Sequence, residues 1–428
     1  MNLVIKLNLK NIKSMLWPVL LIFSCRLFEL LNIKMAFLTY VALVIYLIFS
    51  LKKIIIPNIR GMRLYLFVLF YSTVVGLSQY NVRNVIRDLY YILPTIVLMV
   101  LGYYLFMFYG EKASLVKTLI IVGSIISTYV VFRFFTNISS YDELSGFKNN
   151  FGICSAEVLF IFLILFFYVF ILKEKLFNKI FEFYSFVIML LQIILSMQRN
   201  IWISLILGII SIIVVMMTIK KYRKRMIQLL MKTIIITVII YFAAVLILPE
   251  SVTEEMVDKI SQSSVEINSN QEYDDVDDAM ANWRGYEIHA AQKQWQQSNV
   301  FVELFGAGMG KGVHLDLVPY TWDSITKDGN IPLLHNGYYT ILTKAGILGV
   351  IALIWFMLGN VVTGWDILKK KDYMIADGCI LIAISAVYLL QTYVATGPVT
   401  QAVNITWPLL IGWICARYYR GKKEENCF

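Results

Sequence analysis

The stretch QRNIWISLILGIISIIVVMMTIKKYRKR, residues 198–225, joins a polar turn to about twenty mostly apolar residues without a charge and then to five cations in six positions. A helix of about 20 such residues spans a hydrocarbon layer about 30 Å thick, and a lysine and arginine cluster at one end marks the cytoplasmic side. The same unit recurs in both directions from this stretch. Spans are predicted over roughly residues 15–32, 35–51, 64–80, 90–108, 115–135, 151–172, 179–197, 200–219, 230–248, 336–358, 374–395 and 401–418. The expected fold is therefore all-α: a polytopic integral membrane protein of about 12 transmembrane helices with one large extracytoplasmic loop.

Composition agrees. Of 428 residues, 59% are hydrophobic and 15% charged, with a mean hydropathy of +0.70, more apolar surface than the core of a soluble domain can hide. The net charge of +10 does not point to nucleic acid, because the cations sort by side. With the N-terminus inside, inner segments carry Lys52, Lys53, Arg60 and Arg63; Lys112 and Lys117; Lys173, Lys175 and Lys179; the cluster at 220–225; Lys369, Lys370 and Lys371; and Arg417, Arg420, Lys422 and Lys423. Short outer segments carry only Lys34, Arg83, Arg87, Arg133, Lys148 and Arg199. Both termini are thus expected in the cytoplasm. Lys6, Lys10 and Lys13 precede the first apolar run and no small-residue cleavage site follows it, so that run is expected to stay as an anchor. Cys25, Cys154, Cys379 and Cys415 fall in spans and Cys427 in the tail, which implies no disulfide framework.

These counts divide the chain into an N-terminal membrane bundle of about nine helices (1–248), a loop (249–335), C-terminal membrane helices (336–418) and a cytoplasmic tail (419–428). The loop holds fifteen Asp or Glu against five Lys or Arg, and all three histidines, His289, His314 and His335. A connector of this length is usually functional or disordered. Residues 261–278 read as a mobile acidic segment, whereas 279–297 place aromatic and apolar residues at helical spacing, Trp283 with Tyr286 and Ile288 with Ala291 and Trp295.

Four features carry candidate chemistry. Leu334-His335-Asn336-Gly337-Tyr338-Tyr339 lies where the loop re-enters the membrane; His335 there suits proton transfer near neutral pH, or the segment is a helix cap with interfacial tyrosines. Arg199 sits in a short outer turn, as an anion ligand or snorkelling to headgroups. Asn282-Trp283-Arg284-Gly285 offers a guanidinium suited to phosphate oxygens. The glycines at 306, 308, 310 and 312 resemble a phosphate cradle only superficially, since Phe305 and Gly312 break a Walker A pattern, and read better as a tight turn. Asp274, Asp275, Asp277 and Asp278 lack the glycine and closing glutamate of an EF-hand and read as a solvated acidic run. Inside the spans, Arg26 and Glu29 sit three apart, and Lys344 follows His335 on one helix.

In this order, Arg199, Trp283-Arg284, Leu304-Phe305-Gly306-Ala307-Gly308-Met309-Gly310, His335-Asn336-Gly337-Tyr338 and Gly346-Ile347-Leu348-Gly349 resemble the O-antigen ligase and polymerase family of bacterial envelope glycan enzymes. The resemblance covers 198–349 by motif and the N-terminal spans by topology. It implies a glycosyltransferase of the bacterial cytoplasmic membrane, without metal or other cofactor, that uses glycans on undecaprenyl pyrophosphate. It further implies Arg199 and Arg284 as pyrophosphate ligands, His335 as base or acceptor-positioning group, and Asn336, Tyr338, Gly308 and Lys344 among the substrate contacts. Lys344 stands where the family pattern has an uncharged or acidic residue. Implied partners are the lipid-linked glycans, membrane lipids, and a chain-length regulator and flippase of the same pathway. The Ile, Lys, Asn and Phe-rich composition fits an AT-rich genome and favours a polymerase of repeat units over a ligase to lipid A core. A flippase would also have about twelve spans, but two related halves and a midplane site are its marks, and neither is visible here.

Overall fold

The computed structural model describes residues 9–110, 115–137, 154–196, 198–231, 273–318, 329–370, 372–400 and 404–425. Its helices are α1 (Leu9–Leu51), α2 (Met62–Gln79), α3 (Val82–Tyr109), α4 (Leu115–Asn137), α5 (Ser155–Phe166, continued by a π-helical stretch Phe167–Leu172), α6 (Lys179–Leu195), α7 (Arg199–Thr218), α8 (Val276–Ala281), α9 (Trp283–Gln296), α10 (Val300–Phe305), α11 (Gly337–Lys370), α12 (Ile375–Val394) and α13 (Thr406–Glu425). Two-residue strands β1 (Val313–His314) and β2 (Asn330–Ile331) pair antiparallel, a small β element in an otherwise helical chain.

Seven helices among the described residues are long and apolar enough to cross a membrane: α2, α3, α4, α5 with its π-helical end, α7, α11, and α12 with the short turn before it. The expectation of about twelve is met in part by this number. The ninth predicted span, 230–248, lies outside the described residues apart from its first two, as does most of the acidic segment 261–278. The side chains of Arg26 and Glu29 also lie outside them. Where the sequence reading placed a turn between the first two spans, α1 instead runs through as one helix of 43 residues. No glycine or proline falls between Val19 and Ile56 to stop it, and at 1.5 Å per residue it is about 64 Å long, twice the hydrocarbon thickness.

The surface confirms the solvent. Phe67 on α2, Phe132 on α4 and Phe183 on α6 are each about two-thirds or more exposed (67%, 68% and 71%), among many exposed Ile, Leu and Val. Apolar patches of that extent are a liability in water and ordinary in lipid. Inside the bundle, helices approach through small residues. Gly364 of α11 and Gly378 of α12 face each other's carbonyls, and Gly102 of α3 and Gly412 of α13 each lie against the other helix's backbone, so an added methyl at any of the four collides with main chain.

Two ends of the bundle are chemically distinct. At one, Arg60 pairs with Asp366 at 3.1 Å and Arg417 with Asp377 at 2.5 Å, while Arg225 donates to the Phe170 carbonyl. At the other, α11 begins and α12 ends: the Gly337 N–H donates to the Ala395 carbonyl at 3.2 Å, and the Tyr338 hydroxyl to the Leu389 carbonyl at 3.0 Å. This second end carries α8, α9, α10 and the ribbon. Their small core joins Ala279, Tyr286, Ala290, Ala291, Val313, Leu315, Ile331 and Leu334. The predicted helix over 279–297 is present as the end of α8 and α9, with a break at Asn282.

Candidate active site

His335 ends the loop, and its position is set from two sides. Asn336 caps α11, its side-chain oxygen accepting from the N–H groups of Tyr338 (3.0 Å) and Tyr339 (3.2 Å), which satisfies donors that the first helical turn leaves open. From α9 comes Glu287. Its buried carboxylate accepts the main-chain N–H of His335 at 2.7 Å and faces His335 Nδ1 at 3.0 and 3.1 Å. The Trp283 indole N–H, one turn back on α9, donates to the same carboxylate at 2.7 Å. The Glu287 side chain is 3% exposed and that of His335 52%, so one ring nitrogen is held in the protein and the imidazole has an open side.

Arg284 starts the same helix, half-buried and one turn before Glu287. Arg199 begins α7. It reaches this end of the bundle through α12, where Gln391 donates to Ser204 of α7 at 3.3 Å and the Gln391 carbonyl accepts from Ala395, the residue bonded to Gly337. The structure therefore brings Arg284 and His335 to one turn of α9 and sets Arg199 at the same end of the bundle.

The other expected contacts are engaged internally. Asn336 is buried in its capping role and Tyr338 holds α12, as described. The glycine run is a clasp on a broken helix rather than a cradle. At Gly346, φ is +66° and ψ −167°, and α11 loses its helical course. A side chain there would strike Leu304 and Gly306, so the break needs glycine. The Thr343 and Lys344 carbonyls, freed by the break, accept from the N–H groups of Ala307 (3.1 Å) and Gly308 (2.9 Å). Met309 donates to the Ser72 carbonyl of α2 at 2.9 Å, and Gly310 to the Asp88 carboxylate at 2.7 Å. Each N–H from Gly306 to Lys311 has a protein acceptor, leaving none to hold a phosphate. Gly308 itself lies against Gly76 of α2.

Lys344 is 2% exposed. Its ammonium donates to Asp88 Oδ2 of α3 at 2.5 Å and to the Lys311 carbonyl at 2.7 Å, while Arg87 donates to Asp88 Oδ1 at 3.2 Å. The charge that departs from the family pattern thus has a partner, and the pair ties α3, the glycine clasp and the break in α11 together. His314 lies 3.6 Å from Asp316, and His289 lies edge-on to Tyr273. Asp275 caps α8 through its bond from the Asp278 N–H. Among the described residues no group of three or more His, Cys, Asp or Glu gathers in a way that could hold a metal ion. Cys154, Cys379 and Cys415 are buried, and no disulfide joins them.

Glu287 and Asp88 escaped the sequence reading. A signal for Glu287 exists: it is a carboxylate between Tyr286 and Ile288 on a helix whose apolar face is buried, and a buried charge demands a partner.

The fold and the site define a polytopic helical membrane protein with a polar, histidine-bearing cluster at one end of its bundle. Residues 184–354, about two-fifths of the chain, match the family model Wzy_C, O-Antigen ligase, and this segment is thereby similar to the O-antigen ligase and polymerase family. The match runs from α6 into α11 and contains Arg199, Arg284, Glu287 and His335. It indicates O-antigen ligase-type activity and, with it, lipid-linked glycan substrates. No curated protein matches the chain.

Proposed function

We propose that the protein is a polymerase of undecaprenyl pyrophosphate-linked oligosaccharide repeat units, acting at the outer face of the bacterial cytoplasmic membrane. The supporting observation is His335, half-exposed and tied at Nδ1 by Glu287, which lies one helical turn after Arg284 within the matched segment. An acceptor sugar hydroxyl attacks the reducing-end carbon of the donor glycan. Its proton passes to His335 Nε2, a new carbon–oxygen bond forms, and the bond to pyrophosphate breaks with the electron pair leaving on the lipid pyrophosphate. Arg199 and Arg284 meet the charge that develops there, as preorganised donors do in such steps. No step in this scheme calls on a metal or another cofactor. A chain-length regulator and the pathway's flippase are the expected partners.

Loss of the protein leaves single repeat units on the lipid carrier or on a terminal acceptor, with no long chains, in a glycan profile of the deletion strain. Long unattached chains on the carrier would replace this reading with the ligase, and units trapped on the inner leaflet with a flippase.

Both termini lie in the cytoplasm in this reading, and residues 249–334 outside. Reporter fusions at Tyr222 and the C-terminus give a cytoplasmic signal and one at Asn268 an external signal. A cytoplasmic signal at Asn268 would put the candidate site on the wrong side for a lipid-linked donor and overturn the assignment.

Arg199→Ala and Arg284→Ala each weaken binding of the lipid-linked donor about 10- to 100-fold, the range for one lost charge-assisted hydrogen-bonding group. Lys at either position restores binding only in part, because a point charge replaces a planar fork. Donor titration with purified variants reads this out; unchanged donor affinity in both alanine variants would remove the arginines from the pyrophosphate.

A further inference from the structure

We infer that Glu287 is a positioning residue for His335: it fixes the imidazole as the Nδ1–H tautomer and so leaves Nε2 with the lone pair that accepts a proton. This rests on the reading of His335 as the base.

Three donors converge on one buried carboxylate: the Trp283 indole N–H at 2.7 Å, the His335 main-chain N–H at 2.7 Å, and the His335 ring at 3.0 and 3.1 Å. An ionised carboxylate only accepts. Indole and peptide N–H groups only donate, so the acceptor character of both oxygens is called for by Trp283 on one and the His335 peptide on the other. Facing that acceptor, Nδ1 carries the hydrogen, and Nε2 is unprotonated in the neutral ring. Because one carboxylate holds both the peptide and the ring of the same residue, it also fixes the rotamer and leaves Nε2 on the edge of a half-exposed ring that faces away from Glu287. Burial of Glu287 keeps water from competing for its oxygens. When Nε2 takes the proton, the imidazolium forms beside a carboxylate already in place, which is how an orienting acid assists a histidine base elsewhere.

A purely structural Glu287, joining α9 to the start of α11, would need only the Trp283 and His335 main-chain bonds and would leave the ring's protonation pattern free. Glutamine at 287 keeps the shape and turns one oxygen into a donor. Whichever way its amide faces, that donor meets either the Trp283 indole N–H or the His335 peptide N–H, and Nδ1, which faces both positions, then meets a donor beside a single neutral acceptor, so its hold is weakened.

The experiment is nitrogen NMR of the full-length protein in membrane mimetic with ring-labelled histidine, which gives three pairs of ring-nitrogen signals to sort; the pair lost in His335→Ala belongs to His335. In the wild type that ring is expected as the Nδ1–H tautomer, and in Glu287→Gln and Glu287→Ala the Nε2–H tautomer is expected to grow in. In parallel, Glu287→Gln lowers kcat about 10²-fold or more while the KM for lipid-linked donor changes less than about twofold, since orientation of a general base acts on turnover. A wild-type ring in the Nε2–H form overturns the inference, and so does wild-type kcat in Glu287→Gln. The wild-type spectrum decides even if a variant does not fold. Wild-type transfer by His335→Ala would overturn the base assignment instead, and the tautomer measurement would still judge the hold of Glu287 on the ring.

Discussion

His335→Ala lowers the turnover of glycan transfer about 10²- to 10⁴-fold, the usual contribution of general acid–base catalysis, with donor affinity close to wild type. The residue is half-exposed, and its own side chain caps nothing: Asn336 caps α11 and Thr340 anchors Leu334 at 3.1 Å. Truncating it removes one ring bond to Glu287 and leaves the main-chain N–H on that carboxylate. The protein should therefore insert and fold, and the loss should appear in kcat. This separates it from the arginines, whose removal should appear first in donor binding. Transfer kinetics with purified variants, beside a membrane-expression blot, measure both. Transfer at the wild-type rate would return His335 to the role of a loop residue at a helix entry.

Asp88→Ala costs about 3–5 kcal/mol, because it strands the Lys344 charge in the bundle, and Lys344→Ala costs less, because Arg87 and the Gly310 N–H still hold the Asp88 carboxylate. Asp88 is fully buried and holds Lys344 Nζ, the Gly310 N–H and Arg87 together. Without it the glycine clasp loses its tie to α3. The paired apolar replacement Asp88→Leu with Lys344→Met removes both charges and is expected to recover part of the stability lost in Asp88→Ala, since a buried ion pair is commonly matched by well-packed apolar side chains, while the Gly310 N–H still lacks its acceptor. Folded yield in detergent and the midpoint of thermal unfolding are the measurements. Singles as stable as the wild type would mean that the pair is solvated, and a double variant worse than Asp88→Ala would mean that the charges act through more than each other.

The membrane architecture was legible in the sequence because hydropathy and cation clusters act over about twenty residues at a time. The helix over 279–297 was legible for a similar reason, since its periodic face is the face that α9 buries. What failed to show was where local continuity beats composition. Asn32-Ile33-Lys34 looks like a turn between two apolar runs, yet nothing there stops a helix, and α1 continues through it. The glycines at 306–310 are legible as irregular backbone, but their acceptors, the Thr343, Lys344 and Ser72 carbonyls and Asp88, lie far along the chain and come together only in three dimensions. Lys344 is legible as a charge inside a span, but its partner Asp88 lies 256 positions away. His335 and Arg284 were visible as residue types suited to proton transfer and phosphate. Glu287, which gives His335 its orientation, stood in plain sequence view without any local sign of what it would touch.

The most direct test of the account is to give the purified protein undecaprenyl pyrophosphate-linked repeat units and nothing else, and to follow chain length and lipid release together. A polymerase with this site is expected to yield products lengthening by whole repeat units with one free undecaprenyl pyrophosphate released for each bond formed, and to yield neither when residue 335 is alanine. Repeat units that stay single, with no lipid pyrophosphate released by a wild-type protein that binds the donor, would contradict it.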